Sequence, residues 1–439
     1  MATLAVGLRR DSPAACLSGV LFRPIYFLIT SPSLLFFATL IAMLFRPPDL
    51  HFYNLDRIAL GILVGIVMLR AFVLRQSLHL TRTVSLPLVL LIAMGLLELL
   101  SRPAQTQDWS TFAAKWIVPF LLYHIAQLIF SETKSLQHLE IFLLLVLAYL
   151  SLMAVFFLLD ARDLIFPRFI LDENLGIHAD RARGPFLQAV ANGVSLIFLS
   201  LVALDSYRRG RLRSIFARAF AFVVPAAILA TKTRSVWISF AAAVMGLWTF
   251  SSSRRIRRAC AYLTAGGLLV ASATCLVCLR DASFGDRLSE RSPVEFRLSM
   301  YRAGCEMFLE KPLFGWHIDD IQPELAKRVE GFHQEQFFFH NSYLEVAVNY
   351  GAAGLALYLW VLWDLFGVGR KTNSATPADG HFLDQKFRSL WPVLVGAYLF
   401  NASFVVMNYQ FVNGLLFTLA GILALQSRRR LSMSQSIDQ

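Results

Sequence analysis

Apolar residues in this chain come in runs of about 20, divided by short polar breaks, and nowhere alternate with the period of two that a half-buried strand requires. A helix of about 20 mostly apolar residues spans the hydrocarbon core of a bilayer. Runs of this kind lie near 25–45, 58–75, 84–100, 112–130, 140–159, 186–204, 215–231, 235–250, 259–279, 343–366, 389–406 and 409–426. The breaks at 231–235 and 406–409 are short enough to be tight turns. The pattern predicts an all-α polytopic membrane protein of about 12 transmembrane helices, one integral membrane domain over residues 1–439. The even count places both termini on one side.

Charge in the breaks chooses that side. Basic residues cluster at Arg208–Arg213, Ser251–Arg258, Arg370–Lys371 and Ser427–Arg430, in alternate loops, and Arg9 and Arg10 precede the first run. Short loops rich in Lys and Arg stay cytoplasmic, so both termini are expected in the cytoplasm. Arg9 and Arg10 lead into no apolar stretch with a cleavage site, so the N-terminus reads as a cytoplasmic lead-in and not a removed signal. The opposite face, the periplasm of a bacterial inner membrane, then carries loops 160–185 and 280–342, the larger between about the ninth and tenth spans, and the turn Thr231–Arg234. Within the larger loop, Val294, Leu298, Tyr301, Cys305 and Phe308 recur at helical spacing, which predicts an amphipathic helix on the membrane surface. Pro312 ends it, Gly315 supplies a turn, and Phe337–Phe339 lead into His340 at the interface.

Composition agrees. The 439 residues are 56% hydrophobic and 16% charged, against about 25% charged in soluble domains, and mean hydropathy is +0.57. The net charge of +12 does not imply nucleic acid, because the basic groups sit in short clusters between apolar runs. Their expected partners are membrane lipids with anionic headgroups. Cys16, Cys260, Cys275, Cys278 and Cys305 form no disulfide framework or zinc pattern, and the Cys275/Cys278 pair lies inside an apolar run, where both read as small packing residues.

Chemistry-bearing residues gather on the face with the long loops. Arg183 lies in RARGPF, Arg234 in TKTRSVW, Arg297 on the amphipathic helix, and His340 at the mouth of the tenth run. Guanidinium is permanently charged and grips phosphate oxygens with paired N–H bonds. Imidazole exchanges a proton near neutral pH. Taken singly, each arginine is as easily read as snorkelling or pairing with Asp180, Glu290 or Glu295, and a lone histidine at a helix start as a cap. Their shared side favours a site for a phosphorylated lipid. Glu98 and Lys115, near helix ends, read either as a mutual pair or as an ion path. His51, His79, His124, His138, His317 and His333 lack ligand spacing, and neither a metal motif nor a nucleotide-binding fingerprint occurs, so neither metal nor cofactor is expected.

These residues carry a resemblance. His340-Asn341, nine residues, Gly351, two residues and Gly354 is similar to the H-[NSQ]-x9-G-x-x-G signature of the bacterial O-antigen ligases, within the O-antigen ligase and polymerase superfamily. TKTRSVW resembles the family's small-Ser-Arg turn, with Thr233 in place of serine. RARGPF resembles its Arg-x-x-Gly block, and the stretch from Arg297 to Gly315 resembles its arginine, short helix and Pro-Leu-x-Gly turn. The blocks span Arg183 to Gly354. The chain departs at Gly315-Trp316-His317, where the family often has Gly-x-Gly, and at Tyr301, where tryptophan is common.

The resemblance implies a GT-C-type membrane glycosyltransferase working on the periplasmic face without metal or nucleotide sugar. Its donor would be a glycan on undecaprenyl pyrophosphate and its acceptor lipid A–core, as in lipopolysaccharide biosynthesis, or a second lipid-linked glycan in a polymerase. His340 would be the catalytic base of an inverting displacement. Arg234 and Arg297, supported by Arg183, would bind pyrophosphate. Asn341, Tyr343 and Glu345 are candidates to orient the acceptor or His340, and Gly351 and Gly354 to allow close helix packing. Ligase is favoured over polysaccharide polymerase, with protein O-glycosylation a related option. A transporter or lipid-linked glycan flippase is the reading from another class, for which about twelve spans and the Glu98 and Lys115 charges speak.

Overall fold

The computed structural model describes residues 31–46, 54–75, 83–101, 103, 105–251, 253–278, 292–329, 337–369, 382–384 and 386–437. Arg9, Arg10, Cys16, His51, His79, Glu290, His333, Arg370 and Lys371 lie outside this set, as do the side chains of Cys275 and Cys278. Among the described residues there is no strand. The helices are α1 (Pro32–Leu44), α2 (Leu55–Val73), α3 (Ser85–Leu100), α4 (Gln107–Ile129), α5 (Thr133–Leu158), α6 (Ala189–Arg208) and α7 (Ser214–Ala230), then α8 (Arg234–Phe250), α9 (Arg254–Cys278), α10 (Ser292–Glu310), α11 (Ile318–Arg328), α12 (Ser342–Val368), α13 (Trp391–Ala402) and α14 (Gln410–Ile437).

Each of the twelve predicted runs contains one of these helices, and α10 and α11 belong to the long loop. By length and composition, α4, α5, α6, α12 and the stretch Gln410–Ser427 of α14 qualify as membrane-crossing, while α1, α3, α7 and α8 are shorter apolar helices. This is a multi-pass helical membrane protein. Its centre is α6, which buries nearly its whole circumference. Such a helix has no lipid-facing stripe, which is why its sequence shows no amphipathic period.

One end of the bundle is held by ions. Arg208 contacts Asp205 and Asp384, each at 2.5 Å, while Arg209 donates to Asp205 at 2.8 Å and to Glu140. All five groups are buried, because charges removed from water must find partners. Two arginines of the Arg208–Arg213 cluster are therefore internal staples, whereas headgroup contact was the expectation for the whole cluster. Nearby, Arg388 donates to Val368 O, Leu423 O and Ser427 Oγ, serving carbonyls near the end of α12 and within α14.

At the other end, α12 departs from the predicted straight span. Gly351 has φ 65° and ψ −164°, which breaks the helix into two arms. Consecutive residues of α4 touch both arms: Lys115 pairs with Glu345 of the first, and Trp116 meets the ring of Tyr358 in the second at 5.7 Å. A straight helix would carry residues 345 and 358 about 20 Å apart. The first arm therefore folds back beside the second. The backbone groups orphaned at the break are satisfied by the turn after α10. Ala352 N–H donates to Pro312 O (2.7 Å), and Trp316 N–H to Val348 O (2.8 Å). A Cβ on Gly351 would overlap the Leu313 carbonyl, and one on Gly315 (φ 79°) the Val348 and Asn349 backbone.

The long loop has a small core of its own, formed by Met300, Ala303 and Met307 of α10, Trp316, Ile321 and Leu325 of α11, Val329, Phe337, Phe339 and Val348. The buried stripe of α10 thus runs through 300, 303 and 307, while Leu298 is 60% exposed and Cys305 is exposed. The stripe through Leu298 and Cys305 lies outside this small core. α10 carries two apolar stripes at helical spacing, and the facing residues of α12 and the Phe337–Phe339 segment decide which is covered.

Candidate active site

His340 follows an extended segment in which Phe337 and Phe339 point into the small core while Phe338 is 53% exposed. Its backbone is left-handed, φ 50°, a conformation unusual for any residue but glycine and worth explaining where it occurs. The half-buried ring lies edge-on to Phe296 (6.1 Å) and Phe338 (6.4 Å). Burial first, and then the charge of Arg297, push its pKa down to about 4. The imidazole is therefore neutral at neutral pH and able to accept a proton.

Asn341 caps α12. Its side-chain oxygen accepts from the backbone N–H groups of Tyr343 (2.9 Å) and Leu344 (3.1 Å), the usual service of asparagine at that position. The same side chain meets the Tyr301 hydroxyl. Tyr343 donates to Leu399 O at 3.1 Å, and Glu345 is taken up by Lys115. Lys115 lies in a π-helical turn, Ala113–Ile117, a local widening of the kind that often redirects a side chain toward a functional contact. Glu98, for which pairing with Lys115 was one of the readings, accepts from the N–H of Ile318 at the start of α11. Gly354 sits under the Tyr350 side chain. Both motif glycines thus serve the fold-back of α12, where close packing between helices was expected.

The three arginines differ in kind. Arg297 and Arg234 make no side-chain hydrogen bond or ion pair to any described residue, although Arg297 acts electrostatically on both His340 and Tyr301. Arg234 is exposed at the first position of α8, where the helix's unpaired N–H groups add positive potential. The turn that presents it is fixed by Thr233 Oγ1 donating to Thr231 O (2.8 Å). Ser239, just over one turn along α8, meets Asn401 of α13 (2.9 Å), and the carbonyl of Ser403 two residues on accepts from Tyr301. The end of α13 therefore links the start of α8 to the His340 region.

Arg183, by contrast, is fully buried. Its guanidinium donates to the carbonyls of Ile170 (3.1 Å), Leu175 and Asp172. It organises loop 160–185, and neighbouring Ala182 N–H donates to Ala230 O (3.0 Å), beside the turn bearing Arg234. This geometry favours a supporting role over contact with a phosphate. Ser342, not singled out by the sequence, bridges Val405 O (2.9 Å) and Met407 N–H (2.8 Å) and fixes the α13–α14 connection against the site. Tyr301 was read as part of the apolar spacing of α10 and as a departure from the family, with no role in the site. Its signal was its position four residues after Arg297, on the same helical face. Among the described residues, no group of three His, Cys, Asp or Glu could hold a metal.

Fold and site together define a multi-pass helical membrane protein in which His340 lies beside Arg297, an arginine with no side-chain partner among the described residues. Residues 219–359 match the family model described as O-antigen ligase. The match includes Arg234, Arg297, His340, Asn341, Tyr343, Glu345, Gly351 and Gly354, and leaves Arg183 outside. A comparison with curated proteins returned no match.

Proposed function

We propose that this protein is a periplasmic-face glycosyltransferase of the inner membrane that moves a glycan from undecaprenyl pyrophosphate to an acceptor hydroxyl, lipid A–core being the favoured acceptor. The observation that carries the reading is His340 beside Arg297, which has no side-chain partner among the described residues, inside the stretch that matches O-antigen ligase. His340 takes the acceptor's proton as the hydroxyl oxygen bonds to the anomeric carbon. The bond from that carbon to the phosphate oxygen breaks, and its electron pair leaves with undecaprenyl pyrophosphate. The linkage inverts. Arg234 and Arg297 stabilise the departing charge, so no acid is needed on the leaving group, unlike in a glycosidase.

A base with a pKa near 4 is weak for this task, since catalysis is best when the pKa approaches the working pH. The donor corrects this. Its pyrophosphate offsets the Arg297 charge that depresses the imidazole, so basicity rises when substrate binds. A polysaccharide polymerase uses the same chemistry with a second lipid-linked glycan as acceptor.

Purified protein in lipid, given undecaprenyl-pyrophosphate glycan and either acceptor, tests this. Transfer is expected with wild type, to be lost in His340→Ala and reduced at least a hundredfold in Arg234→Ala, the scale of removing a transition-state donor. Undiminished transfer in His340→Ala would remove the base. Ion-coupled uptake without transfer would favour a transporter.

A further inference from the structure

We propose that Tyr301 is the positioning residue that holds His340 in its working orientation. Tyr301 lies on α10, yet its hydroxyl reaches the carbonyls of two other segments: Ser403 at 3.0 Å, beyond the end of α13, and His340 itself at 3.3 Å. The Asn341 side chain closes the group. Three separate stretches of chain therefore meet at one phenol. The carbonyl that Tyr301 takes belongs to the residue in left-handed conformation, and such a conformation persists only where its surroundings over-determine it. Asn341 pins the backbone that follows, by capping α12. Tyr301 pins His340 from the other side, leaving the imidazole between Phe296 and Phe338.

The same helix brings Arg297 one turn earlier, the charged group that acts on the imidazole. Tyr301 thus fixes two distances together, from imidazole to guanidinium and from imidazole to the end of α13. A single hydroxyl proton cannot serve two carbonyls fully. The two acceptors share it, and the bond to His340 is the longer.

This inference rests on the proposed role of His340 but is read out separately from it. In Tyr301→Phe, with ¹³C/¹⁵N-histidine labelling, the His340 resonances report the imidazole's pKa directly, whatever the activity. His340→Ala identifies them, and the melting temperature confirms folding. Loss of the tether is expected to let the ring reach solvent and raise its pKa from about 4 toward the unperturbed value of about 6.5. kcat should fall on the order of tenfold, as expected for one hydrogen bond, with KM little changed. Tyr301→Trp, which restores an N–H donor, should recover part of both. A folded Tyr301→Phe protein with unmoved His340 resonances and wild-type kcat overturns the positioning role. Should His340→Ala remain active, the base assignment falls, while the resonance shift in Tyr301→Phe still decides whether Tyr301 holds the ring.

Discussion

The rings of Tyr343 and Tyr358 touch at 5.9 Å between centroids, although fifteen residues along a straight helix would separate them by about 22 Å. They face each other across the fold-back at Gly351, and they show that the helix start bearing His340 is packed against its own continuation. Gly351→Ala should therefore cost about 1–3 kcal/mol, the usual range for forcing a side chain into such a backbone conformation. It should also lower transfer, because the His340 arm is re-aimed. Thermal unfolding of the purified variant beside a transfer assay checks both. A melting curve equal to wild type would mean the break tolerates a side chain.

The pH profile should show two different limbs. In the free protein His340 has its pKa pushed down to about 4, so kcat/KM should hold its value as pH falls to about 5. With donor bound, pyrophosphate offsets Arg297 and the limb in kcat should lie at higher pH. Arg297→Gln should raise the kcat/KM limb only in part, since burial is the larger cause. Coincident limbs would show that the donor does not tune the base.

Stability carries its own pH signature with a definite sign. The unfolded chain takes up a proton on this histidine near pH 6.5, whereas the folded protein refuses it until about pH 4. Through that window the unfolded state binds more protons, so stability falls as pH falls. His340→Gln should flatten this part of the slope when melting temperature is followed from pH 7 to pH 4.

Arg183 and Arg234 should separate cleanly. Arg183→Ala strands three carbonyl contacts in a buried site and should cost about 3 kcal/mol, opening residues 160–185 to limited proteolysis. Arg234→Ala removes an exposed group without partners among the described residues, so the melting temperature should be unchanged while transfer is lost. The reverse pattern would exchange their roles.

The Lys115–Glu345 pair links the π-helical turn of α4 to the first arm of α12, with side chains 8% and 17% exposed. Breaking it from one side, as Lys115→Met or Glu345→Leu, should cost about 2–3 kcal/mol, just below the range for fully buried pairs because solvent reaches Glu345. The double variant should recover most of that loss. Strictly additive losses in a double-mutant cycle would argue that the two act separately.

Sequence pattern located the helices because apolar length is a one-dimensional property, and all twelve runs hold one. It also found the turn before Arg234 and the helix within the long loop. It missed the fold-back of α12, since an apolar run stays continuous whether or not the chain bends inside it, and Gly351 reads the same as a packing glycine. It did not find the second stripe of α10, through 300, 303 and 307, because two stripes satisfy the same spacing. The roles of Arg183 and Lys115 depended on partners more than 200 residues away or in an irregular loop, which no local pattern encodes. For the site, the sequence grouped His340 with Arg297 and spaced Tyr301 one turn from Arg297, while Ser342 became visible only through its contacts.

The fold-back also sets the thickness of the protein wall beneath His340. Past Gly351, α12 keeps 17 residues up to Val368, and the neighbouring α13 has 12, about 26 Å and 18 Å of helix at 1.5 Å per residue. A hydrocarbon layer is about 30 Å deep, so neither helix alone covers that depth. Under the proposed function, this shortness would let a lipid-borne pyrophosphate approach His340 with its tail still in hydrocarbon.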